Sequence, residues 1–323
     1  MNNFTYAQPS SLKEATELLA KNWGKTEVLA GGTDLITALK QGITDPEVVV
    51  SLKNVKGLDG IKMKGGNLTI GATTKLSALA SDKDVNKNFP ALVTATKNIG
   101  STQMINMGTV GGDLLQRPRC WFYRNGFGLL GTDEGDSLIP DGDNRYHAIF
   151  GNSGPAKFVN PSSLAPALIA LGASVTLQGA KGSRDIKVAD LFTAPKSDSD
   201  REYTIKSNEI LTSISIPLSG KKNGIYEIRQ RVGLDWPMVA AAVAYNEEGG
   251  KISNAVVVLG HVAPTPWVAS KAAAALNGQS VSDATKKAAG EAAADGASPL
   301  SKNGYKVQQV KVAVRRAIAA AAG

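Results

Sequence analysis

The chain has 323 residues, a formal net charge of +8, 42% hydrophobic and 20% charged residues, the make-up of a folded protein with room for two or three cores. No apolar run approaches the ~20 residues that a membrane span needs, and a single cysteine, Cys120, excludes an internal disulfide framework and any zinc site or iron–sulfur cluster ligated by this chain's cysteines alone. The lysines are scattered and no arginine stripe alternates with aromatics, so the positive excess points to solubility and to acidic partners or an anionic cofactor, and away from nucleic acid.

The start, Met1-Asn-Asn-Phe-Thr-Tyr6, lacks the basic and apolar regions of a signal peptide. The cytoplasm is therefore the expected compartment; the alternative is the periplasm, reached bound to an exported partner. Residues 10–22 predict a helix, with Ser11 as cap, Glu14 completing a capping box, and Leu12, Ala15, Leu18 and Leu19 on one face. Val28 to Ala30 reads as a buried strand that ends in Gly31 and Gly32, and a helix runs from about Asp34 to Gln41 before Gly42. Asp34 is expected to cap that helix by accepting a backbone N–H. Val48 to Leu52 is a second strand, giving a small α/β unit with a right-handed crossover.

Beyond it, 60–64 and 67–70 predict a hairpin about Gly65-Gly66, and 76–80 and 89–99 predict helices. Residues 100–115 read as an irregular stretch anchored by Ile105, Val110 and Leu114, packed against a ligand. Residues 117–146, rich in arginine, aromatics, Gly and Asp, predict a long irregular excursion. His147 to Phe150 is expected to return to the sheet, Phe158–Val159 to form a short strand, and 161–171 a helix capped by Ser162 or Ser163 with Pro166 in its first turn. A hairpin over 173–178 and 183–188 and a strand over 209–216 follow. The linker is Ser219 to Gly224. After it come three antiparallel strands (224–231, 240–246, 255–260) and helices near 266–277, 282–294 and 303–321. The reading is an α+β fold: a small α/β part over 1–54 and a larger α+β part over 55–219 form a first domain, 1–219. A second domain, 220–323, carries a three-stranded antiparallel sheet with helices.

Two glycine loops, Ala30-Gly-Gly-Thr-Asp34 and Gly108-Thr-Val-Gly-Gly-Asp113, each follow an apolar segment. Such turns bring several main-chain N–H groups to one point and hold phosphate oxygens without lysines. No Gly-x-Gly-x-x-Gly opens a first helix, so this is not a Rossmann site. Neither loop ends in Gly-Lys-Ser/Thr, so it is not a P-loop. A diphosphate flanked by two groups fits between the two loops.

These loops are joined by Ile99-Gly-Ser-Thr-Gln-Met-Ile-Asn106, Asn160-Pro-Ser-Ser163, Arg229-Gln-Arg231 with Asp235-Trp-Pro237, Gly260-His-Val-Ala-Pro-Thr-Pro-Trp267, and Pro299-Leu300 with Tyr305-Lys-Val307. In this order the motifs resemble, over nearly the whole chain, the FAD-binding medium subunit of the molybdenum hydroxylases, which include xanthine dehydrogenase, carbon monoxide dehydrogenase and aldehyde oxidoreductases. The resemblance implies FAD held between the two parts of the first domain. It implies a molybdopterin-binding large subunit that hydroxylates substrate and a small subunit with two-iron clusters that relays the electrons. The flavin here passes them to an acceptor such as NAD, a quinone, a ferredoxin or oxygen. By position, Ala30, Gly31, Gly32, Thr33 and Asp34 wrap the pyrophosphate, flanked by Leu29 and Leu35, and Thr109, Gly111, Gly112 and Asp113 complete the cradle. Both aspartates are expected to turn back and cap local N–H groups. Gly100, Ser101 and Thr102 lie toward the ribityl or flavin end, and Glu227, Arg229 and Gln230 approach the isoalloxazine. Ser163 stands where the family commonly has an acidic cofactor contact. Residues 115–124 resemble a branch of aldehyde oxidoreductases whose members hold a four-iron cluster through four cysteines; with Cys120 alone, no iron–sulfur cluster is expected here, and Cys120 reads as a buried or half-buried thiol. His147 and His261 read as structural. The alternatives are a flavin diaphorase or oxidase acting alone, and an assembly subunit that has lost its flavin.

Overall fold

The computed structural model describes residues 1–231 and 233–323. In the first part, Thr26–Leu29 and Val48–Ser51 pair in parallel, Val28 opposite Val50. A three-residue edge strand, Thr5–Ala7, pairs with the other side of Val48–Ser51. It escapes sequence reading because three largely exposed residues carry no periodicity. The first helix is shorter than expected, Leu12–Glu17: Ser11 Oγ accepts from the N–H of Glu14 at 3.2 Å, and the Glu14 carboxylate accepts from the N–H of Ser10 at 2.8 Å. The capping box thus closes one residue before the cap. Ala15 and Leu19 pack with Val50, Leu52, Val55 and Leu58 into the core of this part.

The second part is a five-stranded antiparallel sheet in the order Ile61–Lys64, Asn67–Gly71, Glu209–Pro217, Ser174–Gly179, Gly182–Lys187. Both hairpins form as the alternation dictates. The largest core lies between this sheet, the helices Leu76–Ser81, Pro90–Lys97 and Ala165–Ala170, and one face of the C-terminal sheet. Residues 100–115, expected to be irregular, contain two short helices, Thr102–Met107 and Val110–Leu114. Each starts at a hydroxyl cap: Ser101 Oγ accepts from Met104 N at 3.3 Å and Thr109 Oγ1 from Gly112 N at 3.1 Å. Two expected strands do not form. The N–H groups of Ile149 and Phe150 both donate to the single carbonyl of Val262, and Asn160 N donates to Ala263 O, so these segments lie across the end of the C-terminal sheet instead of joining a ladder.

The C-terminal sheet has four strands, not the three expected: Lys222–Ile228, Val239–Glu248, Lys251–Gly260 and the short Trp267–Val268. The fourth occupies residues read as the start of a helix. Pro264 and Pro266 block helical winding there, and the helix begins only at Ser270. The strand Val239–Glu248 is buried on both faces. Ala242 and Ala244 meet the second part, while Val239, Val243 and Tyr245 meet the helices Ser270–Leu276, Asp283–Ala293 and Tyr305–Ala322.

Lys306, 1% exposed, opens the last helix. Its ammonium donates to the carbonyls of His261 (2.8 Å), His147 (3.1 Å) and Tyr146 (3.2 Å). Burial pushes it down to about 7, while three acceptors favour the charged form. Lys306→Met keeps the stem but removes the donor to the carbonyls of His261 and Tyr146, while His147 O keeps the Asn303 amide at 3.1 Å, so a loss of about 2–4 kcal/mol in denaturant unfolding is expected; an unchanged midpoint would contradict this.

Candidate functional site

The strand Thr26–Leu29 ends in the first glycine loop, and the geometry of that loop is set by two residues. Gly32 has φ +78°, open to glycine at no steric cost. Gly31 lies so close to the second loop that an added Cβ would stand 2.1 Å from Met107 O and 3.1 Å from Gly108 Cα. The loops, some 75 residues apart in sequence, are therefore in main-chain contact. Among the described residues, none of the N–H groups from Ala30 to Leu35 has an intramolecular acceptor. The helix Leu35–Lys40 that follows adds its N-terminal dipole.

The second loop differs from the expectation. Val110 N donates to Thr74 O, Gly111 N to Ala72 O, Gly112 N to Thr109 Oγ1 and Asp113 N to Thr109 O. The helical winding of Val110–Leu114 and a bridge between Lys75 and Thr109 give these amides acceptors within the protein, unlike those of the first loop. Glycine serves packing here: a Cβ on Gly111 would lie 2.9 Å from Ala72 Cβ. Among the described residues, the Thr109 N–H has no intramolecular acceptor, and with the Thr109 hydroxyl proton it is what this loop leaves open beside the cleft.

Neither aspartate caps its own turn. Asp34 sits at the helix start without a side-chain cap. Its Oδ2 accepts from Arg117 N at 2.8 Å, and its Oδ1 meets Arg119 Nη1 at 2.8 Å and Arg124 Nη2 at 3.1 Å. Two guanidinium groups compensate a carboxylate beside a loop of N–H groups, and the pairing docks the arginine-rich insert on the first loop. Arg117 Nε also bonds Glu202 Oε1 at 2.5 Å, a buried pair from a segment with no motif. Asp113, fully buried, reaches 50 residues along the chain: its Oδ2 accepts from Ser162 Oγ (2.5 Å) and Leu164 N (3.0 Å), and its Oδ1 from Ser163 N (3.4 Å) and Gln116 Nε2 (3.0 Å). It holds the turn that leads into the helix Ala165–Ala170, while Ser162 Oγ, one of the two caps expected, accepts from the first helical N–H, Ala165, at 3.0 Å. Burial raises it to about 6, against these donors.

Two cavities flank the loops and share Ala30, Leu52, Thr73 and Thr109. The first, about 200 Å³, is lined by the first loop with Gly111, Gly112 and the apolar Val28, Ala38 and Ile210. The second, about 600 Å³, is lined by Lys53, Lys56 and Lys75 among others. Gly100, Ser101, Thr102, Ser163, Glu227, Arg229 and Gln230 line neither. Ser163 is buried, its amide bonded to Asp113. Gln230 accepts from Tyr146 OH at 2.6 Å and so is engaged with the insert. Gly100, Glu227 and Arg229 form a second centre. Arg229 bonds Glu227 Oε2 at 2.5 Å and donates to Asn98 O and Gly233 O. Leu234 Cδ1 would lie 2.6 Å from a Cβ on Gly100. The six-residue helix Thr102–Met107 lies in the chain between Gly100 and the second loop.

Cys120 is half-buried, 3.1 Å from His147 Nε2. Burial raises the thiol and lowers His147 to about 4, so a neutral thiol faces a neutral imidazole. Among the described residues no three His, Cys, Asp or Glu side chains group as metal ligands, and no helix is long and apolar enough to cross a membrane.

The family described as "FAD binding domain in molybdopterin dehydrogenase" matches residues 2–219, and "CO dehydrogenase flavoprotein C-terminal domain" matches residues 224–321. The chain belongs to the FAD-binding medium subunits of the molybdenum hydroxylases. The aldehyde oxidoreductase FAD-binding subunit of Escherichia coli is 30% identical over 86% of this chain and 87% of its own length. The carbon monoxide dehydrogenase medium chain of Afipia carboxidovorans is 28% identical over 98% and 96%. In solved structures, the carbon monoxide dehydrogenase of Hydrogenophaga pseudoflava contains a chain with a TM-score of 0.77 and 26% identity, covering 99% of this chain and 97% of that one. Family membership makes this a subunit of a multi-subunit oxidoreductase with an FAD-binding domain. The sequence alone gave no warning of Glu202 or Tyr203, whose hydroxyl donates to Gln116 O. The clustered arginines at 117, 119 and 124 were the one signal that something acidic lay opposite.

Proposed function

We propose that the chain is the FAD-carrying electron-transfer subunit of a molybdenum hydroxylase. It takes electrons from the iron–sulfur clusters of a small partner subunit, while a molybdopterin-binding large subunit oxidises the substrate: an aldehyde, a purine, carbon monoxide or a similar molecule. It passes them to an external acceptor. The observation that carries this reading is the run of unpartnered N–H groups from Ala30 to Leu35, pressed against the second loop at Gly31. These amides fit a diphosphate, which carries charge and acceptor oxygens but no donors. The Thr109 hydroxyl completes the grip; Asp34, paired with Arg119 and Arg124, leaves the electrostatics favourable. Bound FAD supplies the redox chemistry; the protein holds the dinucleotide and sets the charge around its ring. Residues 1–219 form the cofactor domain, divided near 54, and residues 220–323 close it. One cysteine gives no route to a cluster in this chain, and the cytoplasm is the compartment.

The test is direct. Purified chain incubated with FAD and desalted is expected to stay yellow at close to one flavin per chain, and to co-purify from its source with a molybdopterin-containing and an iron–sulfur chain. A colourless protein would favour a flavin-free assembly subunit, and flavin without partners would favour a diaphorase acting alone.

A further inference from the structure

The strand Asn67–Gly71 runs on into the turn that starts the helix Leu76–Ser81, and Lys75, the residue before that helix, lies across from Thr109. The bridge between them is antiparallel, with Leu76 N donating to Gly108 O and Val110 N to Thr74 O on either side. Lys75 and Thr109 are therefore a non-hydrogen-bonded pair, the kind whose side chains stand closest on one face. Both line the larger cavity, and Thr109 also lines the smaller one. Lys75 Nζ donates to Met107 O at 2.9 Å. That same oxygen is the atom that a Cβ on Gly31 would meet at 2.1 Å. The ammonium thus sits where the two glycine loops touch.

Among the described residues this cation has no carboxylate within salt-bridge distance. Burial lowers its pKa, and the like charge of Lys53 lowers it further. Lys53 and Lys56 line the same cavity, against the carboxylates of Asp59 and Asp82. Asp82 is already engaged, its Oδ1 accepting from Asp84 N and Val85 N at 3.0 Å. Three lysines against two carboxylates leave the cavity an excess of positive charge beside Ala30 and Thr109, which it shares with the smaller cavity. The Lys75 side chain has no capping task, because the helix Leu76–Ser81 starts without a side-chain cap bond. A bare carbonyl at Met107 would repel an anion placed on the open N–H groups of the first loop. The ammonium held on it reverses that sign, and an anion with several oxygens completes the arrangement.

This step rests on the reading that the diphosphate of FAD lies along the N–H groups from Ala30 to Leu35. We propose that Lys75 is the cation of that diphosphate, reaching it from the larger cavity beside Thr109. The loops fix where the phosphate oxygens lie, and Lys75 supplies the full charge that main-chain amides lack. The affinity for FAD is then set in part by an ion pair and depends on salt. Lys75 belongs to neither glycine loop, so no loop pattern announces it; the cross-strand pairing with Thr109 brings it to the junction.

The test is FAD affinity, read by fluorescence quenching, from about 0.05 M to about 0.5 M potassium chloride, a range that progressively screens accessible ion pairs. The wild-type protein is expected to bind more weakly as salt rises. Lys75→Met, which keeps the stem, is expected to bind about 10-fold more weakly at the low end and to lose most of the salt dependence. Lys75→Arg is expected to keep both. A lysine that only spaces the loops would lower affinity by the same factor at every salt concentration. That result, or unchanged affinity in Lys75→Met, would overturn the proposal. Inorganic pyrophosphate is expected to displace FAD from the wild-type protein; pyrophosphate bound alongside FAD would place the lysines at a separate anion site and overturn it too. If Lys75→Met does not fold, acylation of the wild-type protein by an amine-reactive ester, mapped by mass spectrometry, decides. FAD is expected to protect Lys75, and equal labelling with and without FAD overturns the proposal. Failure of the wild-type protein to bind FAD at any salt concentration would instead sink the functional reading beneath it.

Discussion

Replacing Gly31 by alanine is expected to abolish useful FAD binding. The added methyl would stand 2.1 Å from Met107 O and 2.9 Å from Met107 C, both main-chain atoms with no rotamer to yield. The loops must part, and the amides from Ala30 to Leu35 turn away from Thr109. An affinity loss of about 100-fold or more is expected, about 2.7 kcal/mol, because aligned donors displaced by about an ångström lose much of their hydrogen bonding. Quenching of FAD fluorescence on titration measures it. Gly154→Ala, where a Cβ meets nothing within 4 Å, is the control. Wild-type affinity in Gly31→Ala would show that contact between the loops is irrelevant to the cofactor.

Asp113→Ala is expected to cost stability and flavin together. It removes the acceptor for a hydroxyl, two main-chain N–H groups and an amide, all buried. Unsatisfied buried donors of this kind cost about 3–5 kcal/mol in all. The second loop would also lose its tie to the turn at Ser162, so FAD affinity should fall even where the protein remains folded. Asp113→Asn keeps shape and is expected to lose less. The pH dependence has a definite sign. Burial raises Asp113 from 3.8 to about 6, so between these values the native state holds a proton that the unfolded chain has released. Its contribution to stability therefore falls as pH rises through that window and is flat above it. Asp113→Asn should remove this slope, leaving the overlapping one from Glu227, which is raised to about 7. An unaltered slope would show that Asp113 titrates normally.

The elements that sequence reveals well here are those whose own periodicity decides them. The hairpins 61–71 and 174–187 and the long helix Tyr305–Ala322 bury an alternating or helical stripe, and they form close to where that stripe lies. The fourth strand of the C-terminal sheet, the failed strand at His147 and the edge strand Thr5–Ala7 depend on neighbours distant in sequence, which no local pattern records. The site divides in the same way. Gly31 and Gly32 were legible because only glycine permits their backbone and approach. The roles of Asp34 and Asp113 were not. Each carboxylate is satisfied by groups 50 to 90 residues away, so the local cap that short-range chemistry favours loses to a partner brought in by the fold. The internal bonding of the second loop was not legible either: its amides find acceptors nearby, at Thr109, Thr74 and Ala72, once the helix Val110–Leu114 winds.

The central claim is that one loop supplies amides and the other supplies a wall. Amide hydrogen exchange resolved by residue, with and without FAD, measures this directly. The account predicts that the amides from Gly31 to Leu35 exchange fast in the free protein and become protected on adding FAD, while those of Val110, Gly111 and Asp113 are protected throughout. Protection by FAD appearing at 110–113 but not at 31–35 would contradict it.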